Sequence, residues 1–256
     1  MGSEMCIRDR YLKICYLLTN MKALVLEKKL ELNLRDIDLP NKVGLKDVKI
    51  KMHTVGICGS DIHYYEHGKI GQWNVNAPMV LGHEGSGTII EVGEKEKNLK
   101  VGDRVCIEPQ IVSKSTKEYK LGIYNYDQGV KFWATPPIHG CLTPEVVFPS
   151  DMVFKIPENL SYAEGAMVEP LAVGMQGVTK AKIKPGQIGL VMGCGPIGLV
   201  TALSALAGGC AKVYIADILG EKLKMCNYYP DLIPVDLSKE NLETKIMDET
   251  NGWGVD

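Results

Sequence analysis

The stretch "QIGLVMGCGPIGLVTALSALAGGCAKVYIAD", residues 187–217, leaves little freedom in how it folds. A short apolar run meets a glycine-rich turn, a longer apolar run follows, and a segment ending in an acid closes it. Strand, tight turn, helix and strand in that order make a βαβ crossover, the unit of parallel sheets with helices on both faces. Gly193, Gly195 and Gly198 have the G-x-G-x-x-G spacing, with Pro196 and Ile197 inside it. Alone that spacing is weak; here it follows a predicted strand and opens a predicted helix. Such a turn lets the backbone approach a pyrophosphate seated at the helix N-terminus. Asp217, nineteen residues past Gly198, ends the next strand where an acid meets the adenosine ribose. Its carboxylate accepts from a 2′-hydroxyl and repels a 2′-phosphate, and Ile218 rather than an arginine follows it. The expected dinucleotide is therefore NAD.

The periodicity changes at Ser161. Upstream, "KALVLE", "LNLRDIDLP", "DVKIKMHTV", "GTIIEVG", "DRVCIEP", "EVVFP" and "MVFKIP" read as short strands separated by Gly, Pro, Asn and Asp turns. Downstream, "SYAEGAMVEPLAVGMQGVTKA" opens with Ser161 and Glu164 in capping-box spacing, and Pro170 predicts a bend or break near Glu169. After Asp217 come a predicted helix, "LGEKLKMCNYY", and an apolar "LIPVDL". The fold class is α/β: a β-rich domain over 21–160, then a doubly wound parallel sheet over 161–256.

Both ends read differently from the rest. "MGSEMCIRDRYLKICYLLTN", residues 1–20, is too short in its apolar part to span a bilayer and lacks a signal cleavage site, so Met21 is the expected start. "NGWGVD" stops where apolar strand residues are expected, so the second domain reads as incomplete, with the nicotinamide half of the sheet still to come. An unpaired sheet edge and weak turnover are expected of such a piece.

A formal charge of −2 over 256 residues gives no electrostatic case for nucleic acid or an anionic membrane. The eight cysteines are scattered without a C-x-x-C pair, which suits a reducing compartment such as the cytoplasm.

"LGHEGSGTII" sets His83 and Glu84 side by side at the start of an apolar run, and "GICGSDIHYYEHG" sets Cys58 between glycines after a predicted strand. A thiolate, an imidazole and a carboxylate form a three-ligand zinc set with a position left open, as catalytic zinc requires. Glu169, at the predicted helix break, is a fourth candidate. Spacing alone does not exclude His63 and His67; His53 and His139 have no motif support and read as structural.

Over residues 21–256 the chain resembles the zinc-containing medium-chain dehydrogenases, in their polyol (sorbitol, L-iditol, xylitol) branch. The segments that carry the resemblance are "GICGSDIHYYEHGKIG", "LGHEGSG", "FWATPPIHG", "EGAMVEPLAVG" and "GCGPIGL". The resemblance implies a GroES-like catalytic domain ahead of a Rossmann domain. It implies zinc ligation by Cys58, His83 and Glu84, with Glu169 binding directly or through water. It places Ser60 on the proton path with Glu169, and Tyr64, Phe132 and Thr135 beside the polyol. Lys222 falls where a basic residue holds the adenosine ribose, although a solvated helix lysine is an equal reading. Relatives often hold a second, structural zinc with four cysteines; here that lobe, "QIVSKSTKEYKLGIYNYDQGVK", has none, so one zinc per chain is expected. The implied reaction is oxidation of a secondary alcohol of a polyol to a ketose with hydride transfer to NAD, by a homo-oligomer when full-length. The alternatives are a related zinc alcohol, L-arabinitol or threonine dehydrogenase and, from another class, a non-catalytic nucleotide-binding or structural protein.

Overall fold

The computed structural model describes residues 23–256; the predicted leader and the start at Met21 lie outside the described residues. The chain forms two compact units, one ending at Glu169 and one beginning at Pro170.

In the first unit, β1 (Ala23–Lys28) and β2 (Glu31–Arg35) form a hairpin. β3 (Asp47–Gly56) leads into α1 (Gly59–His67), followed by β4 (Met79–Val80) and β5 (Glu84–Val92). β6 (Arg104–Ile107), β7 (Glu145–Pro149) and β8 (Val153–Lys155) complete it. β7-β3-β5-β6-β8 make an antiparallel five-stranded sheet, and β2-β1-β4 a three-stranded one. Period two decides the faces. Val48, Ile50 and Met52 of β3 turn inward and meet Ile89, Val105, Ile107 and Phe148, whose ring centroid lies 4.3 Å from that of Trp133. Each fully buried valine or isoleucine is worth at most about 1.5–3 kcal/mol against a solvated chain. A second core joins Val25, Leu26, Val80 and Leu81 to Tyr64 of α1.

The chain leaving β8 is tied back to the sheet through Arg104. Its guanidinium donates to the carbonyls of Glu158 (3.0 Å) and Leu160 (2.5 Å) and stands 4.5 Å over the Tyr162 ring. Ser86 Oγ donates to the Tyr162 carbonyl at 2.6 Å. Two helices follow, α2 (Tyr162–Ala166) and α3 (Val168–Ala181), with the break at Met167. The capping box is formed: Ser161 Oγ accepts the Glu164 N–H at 3.2 Å, and Glu164 Oε2 accepts the Ser161 N–H at 2.7 Å. Pro170 stands in the first turn of α3, where a missing N–H costs nothing, so the break precedes it rather than following it.

The second unit alternates strands and helices: β9 (Ile188–Met192), α4 (Pro196–Ala207), β10 (Lys212–Asp217), α5 (Gly220–Leu223), β11 (Leu232–Asp236) and α6 (Leu242–Glu249). The three strands are parallel in the order β9-β10-β11. The central strand is buried on both faces: Val213 and Ile215 pack with Ala202 and Ala205 of α4, while Tyr214 and Ala216 pack with Val235 and Ile246. That is why its sequence is continuously apolar rather than alternating.

Two readings need correcting. The helix expected over 219–229 is one α turn followed by a 3-10 stretch, Lys224–Tyr228. Tyr229 precedes Pro230, and a residue in that position is driven out of the α region; its ψ is 103°. α6 was not anticipated, although Asn241 caps it by accepting the Thr244 N–H at 2.9 Å. No helix among the described residues is long and apolar enough to cross a membrane.

Replacing Ser161 with alanine leaves the Glu164 N–H without its cap and is expected to lower stability by about 1 kcal/mol, read from the urea midpoint.

Candidate metal centre and nucleotide loop

Antiparallel register answers how Cys58 meets His83 and Glu84. β3 pairs with β5 so that Gly56, the last residue of β3, stands opposite Glu84, the first of β5. Cys58, two residues beyond the end of β3, and His83, one before β5, therefore emerge at the same end of the sheet. One donor atom from each of Cys58, His83 and Glu84 lies within 4.8 Å of the others. A Cβ at position 56 would run into the Glu84 carboxylate, so any residue larger than glycine there displaces this candidate ligand.

Asp61, which sequence reasoning passed over, locks this arrangement. It is 2% exposed; Oδ2 accepts the Cys58 N–H at 3.0 Å and Oδ1 accepts the Gly82 N–H at 2.9 Å. One carboxylate thus joins the loop before α1 to the loop before β5, and Gly82 stands twenty-one residues from Asp61 along the chain. The signal was present in "CGSD": an acid three residues after Cys58 occupies the N3 position of a helix cap.

The electrostatics are those of a crowded, partly charged cluster. The hydrogen bond from His83 lowers the Cys58 pKa against the opposing effect of burial, with Ser60 contributing through its side chain and backbone N–H. Burial disfavours charge on His83, but the hydrogen bond to Cys58 and the charges of Asp61, Cys58 and Glu169 outweigh it and push its pKa up to about 9. Burial raises Asp61, Glu84 and Glu169, with His83 partly offsetting each shift. Yet His83 Nδ1 is buried with no hydrogen-bond partner. An orphaned ring nitrogen beside a thiol and a carboxyl group is a mixed nitrogen, sulfur and oxygen donor set, which a divalent cation such as zinc fits.

The other predicted residues fall around this cluster in different ways. Ser60 bonds to Cys58, and Glu169 lies within electrostatic reach of His83 and Glu84, outside the three-donor group. The Phe132 ring meets the His83 ring edge-on at 5.5 Å. Tyr64 is 3% exposed in the core, with the Thr135 side chain at its hydroxyl. His63 and His67 sit on the exposed face of α1, outside the cluster. His139 Nδ1 accepts the Val80 N–H at 3.1 Å, and His53 stacks on Tyr162 at 4.1 Å; both are structural contacts.

In the second unit the glycine loop has the form its spacing predicted. Gly193 adopts φ +96°, a left-handed conformation that disfavours side chains. Gly195 is the N-cap of α4, with open space where a Cβ would stand, and Pro196 is the first helical residue. A Cβ on Gly198 would collide with the Gly193 carbonyl, so the turn closes only with glycine there. Ile197 is exposed. Asp217 accepts the Leu219 N–H through Oδ1 and the Cys194 N–H through Oδ2, both at 2.8 Å; these backbone bonds lower its pKa. Lys222 Nζ lies 3.7 Å from Asp217 Oδ2, so the lysine is at the acid rather than turned away from it.

Comparison with known proteins agrees with this geometry. Residues 44–158 match the alcohol dehydrogenase GroES-like domain. The D-xylulose reductase of Morganella morganii is 54% identical over 236 residues, which cover 92% of this chain and 70% of that protein. The sorbitol dehydrogenase of Mus musculus is 43% identical over 201 residues, 78% of this chain and 56% of that protein. Among solved structures, the 2R,3R-butanediol dehydrogenase of Bacillus subtilis superimposes with a TM-score of 0.79 at 34% identity, covering 91% of this chain and 68% of that one. The chain belongs to the zinc-containing medium-chain dehydrogenase family, whose members combine zinc with a nicotinamide cofactor. Within that family it falls in the polyol dehydrogenase branch.

Asp61→Asn presents an amide nitrogen to one of two backbone N–H donors and loosens both loops. It is expected to weaken zinc binding about 10–100-fold, measured by competition with a chelating dye.

Proposed function

We propose that this chain oxidises a secondary alcohol of a polyol to the ketose, with NAD as the hydride acceptor and one zinc ion held by Cys58, His83 and Glu84. The observation that carries this reading is the convergence of those three donors around an unpartnered His83 Nδ1. When bound, the two groups supply Lewis acidity and a place for the hydride. Carbon gives up a hydride, oxygen gives up a proton, and the products are ketone, NADH and H⁺.

The chain's own residues divide the remaining work. Hydrogen bonds from His83 and Ser60 lower the Cys58 pKa, and Asp61 fixes the backbone from which the thiol projects. Ser60, bonded to Cys58, and Glu169, whose pKa burial raises, receive the proton released by the alcohol and pass it outward. Phe132 shields the His83 ring from water. Thr135 borders the substrate, with Tyr64 beneath it as a rigid support. In the second unit the pyrophosphate lies against Gly195 and the start of α4, and the Asp217 carboxylate accepts from the ribose 2′-hydroxyl with Lys222 beside it. This acid selects NAD over NADP by repelling a 2′-phosphate.

A single zinc follows from the lobe over 110–131. It carries no cysteine, and Gln110 and Tyr124 Oη, the latter at 3.3 Å, both donate to Glu108 just ahead of it. The cytoplasm is the compartment that suits a free thiolate ligand, and assembly into a homo-oligomer is the expected state of the full-length protein. A neighbouring zinc alcohol dehydrogenase activity is the alternative reading, and a panel of xylitol, sorbitol, L-arabinitol and 2,3-butanediol separates the two.

With zinc-loaded full-length protein, NADH absorbance is expected to rise on adding xylitol or sorbitol, with one zinc per chain by metal analysis. Cys58→Ala should lose the metal and at least about a hundredfold in turnover, beyond the usual cost of outer-shell changes. Normal oxidation by that variant would reject the assignment. Asp217→Ala removes the repulsion and is expected to raise the NADP-to-NAD ratio of kcat/KM by about tenfold.

A further inference from the structure

Two thiols meet at the glycine turn, and the proposed reaction uses neither. Cys194 lies within the turn, between Gly193 and Gly195, and Cys226 lies in the 3-10 stretch Lys224–Tyr228. Both are free and buried, and their Sγ atoms stand 3.9 Å apart although thirty-two residues separate them along the chain. A disulfide brings two sulfurs to about 2.0 Å, so a small adjustment of the pair closes the gap.

Cys194 is also tied to the residues expected around the adenosine ribose. Its N–H donates to Asp217 Oδ2 at 2.8 Å, and its Sγ donates to the Lys222 carbonyl at 3.4 Å. Lys222 Nζ lies 3.7 Å from that same carboxylate oxygen. The turn has no slack to give, because a Cβ on Gly198 would already collide with the Gly193 carbonyl. A pull on Cys194 toward Cys226 therefore falls on its bond to Asp217. Where a Cβ on Gly193 or Gly195 would stand, no described atom lies within 4 Å, which leaves the turn open to small solutes.

We propose that Cys194 and Cys226 form a reversible disulfide under peroxide, and that this bond weakens the hold of the turn on the dinucleotide. One thiol reduces the peroxide, becoming a sulfenic acid with release of one water. The second thiol's sulfur displaces the sulfenic hydroxyl, which leaves as a second water with the thiol proton. Two thiols and one peroxide thus give one disulfide and two waters, and a dithiol reductant reverses the bond. Burial pushes both thiols up, Cys226 to about 12, so the pair rests neutral and answers sustained rather than brief oxidant. In a reducing compartment such a bond is transient. Formation of the disulfide stands on the sulfur geometry alone, whereas its effect rests on the nucleotide reading of the turn. By linkage, bound dinucleotide opposes the disulfide as strongly as the disulfide opposes the dinucleotide.

The test treats zinc-loaded full-length protein with hydrogen peroxide, maps linked peptides by mass spectrometry without reduction, and measures NADH affinity by fluorescence. A peptide pair joining Cys194 to Cys226, lighter by two hydrogens, is expected. NADH affinity should fall about tenfold, the worth of one strained hydrogen bond, and return with dithiothreitol. Cys226→Ala should bind NADH as the reduced protein does and show neither the linked pair nor the loss. Cys194→Ala keeps the backbone N–H and should be equally insensitive to peroxide. Absence of the linked pair, or a linked pair with unchanged NADH affinity, would overturn the proposal. Reduced protein that binds no NADH would instead reject the nucleotide reading, and the control falls with it even where the linked pair forms.

Discussion

A single buried carboxylate coordinates the geometry on which the metal centre depends. Asp61 accepts from two backbone N–H groups, those of Cys58 and Gly82, which belong to separate loops of the chain. The β3–β5 ladder brings those loops to one end of the sheet, and Asp61 then fixes their mutual position. Without these bonds the half-buried Cys58 donor and the buried Gly82 donor would be left unpaired, the buried one at a cost of about 1–3 kcal/mol. The thiol, the imidazole and the carboxyl of the candidate ligands inherit their separation from this backbone arrangement.

The second unit reaches its binding geometry by another route. There the sheet is parallel and buried on both faces, so its strand ends are set by the crossovers rather than by hairpin register. Gly198 closes against the Gly193 carbonyl, and Asp217 draws the Cys194 N–H toward the end of β10. The glycine turn and the acid are thereby one hydrogen-bonded piece. That explains why motif spacing alone located both.

What the sequence revealed follows from which signals are local. Strands with alternating faces, the G-x-G-x-x-G turn and the Ser161–Glu164 cap each declare themselves within a few residues, and the structure forms each of them. Cys58, His83 and Glu84 were legible as residue types with zinc chemistry, but their meeting depends on strand pairing, which no short window contains. Asp61 was missed because its partners are backbone atoms, invisible to a search for side-chain motifs. The 219–229 helix was misread because apolar spacing outweighed the proline at 230, whose effect falls on the residue before it. Tyr64 was read as bordering the polyol, and its ring also belongs to a core that assembles from β1, β4 and the segment around Leu142, which no short window of sequence contains.

The Arg104 tether has a bearing on how the approach to Glu169 is held in place. A guanidinium stays cationic throughout the physiological range, and its partners here are main-chain carbonyls, which do not titrate either. The segment that carries the chain toward Glu169 is therefore fastened by a clamp indifferent to acidity. A change of protonation at the carboxyl and imidazole groups of the cluster therefore leaves these contacts untouched.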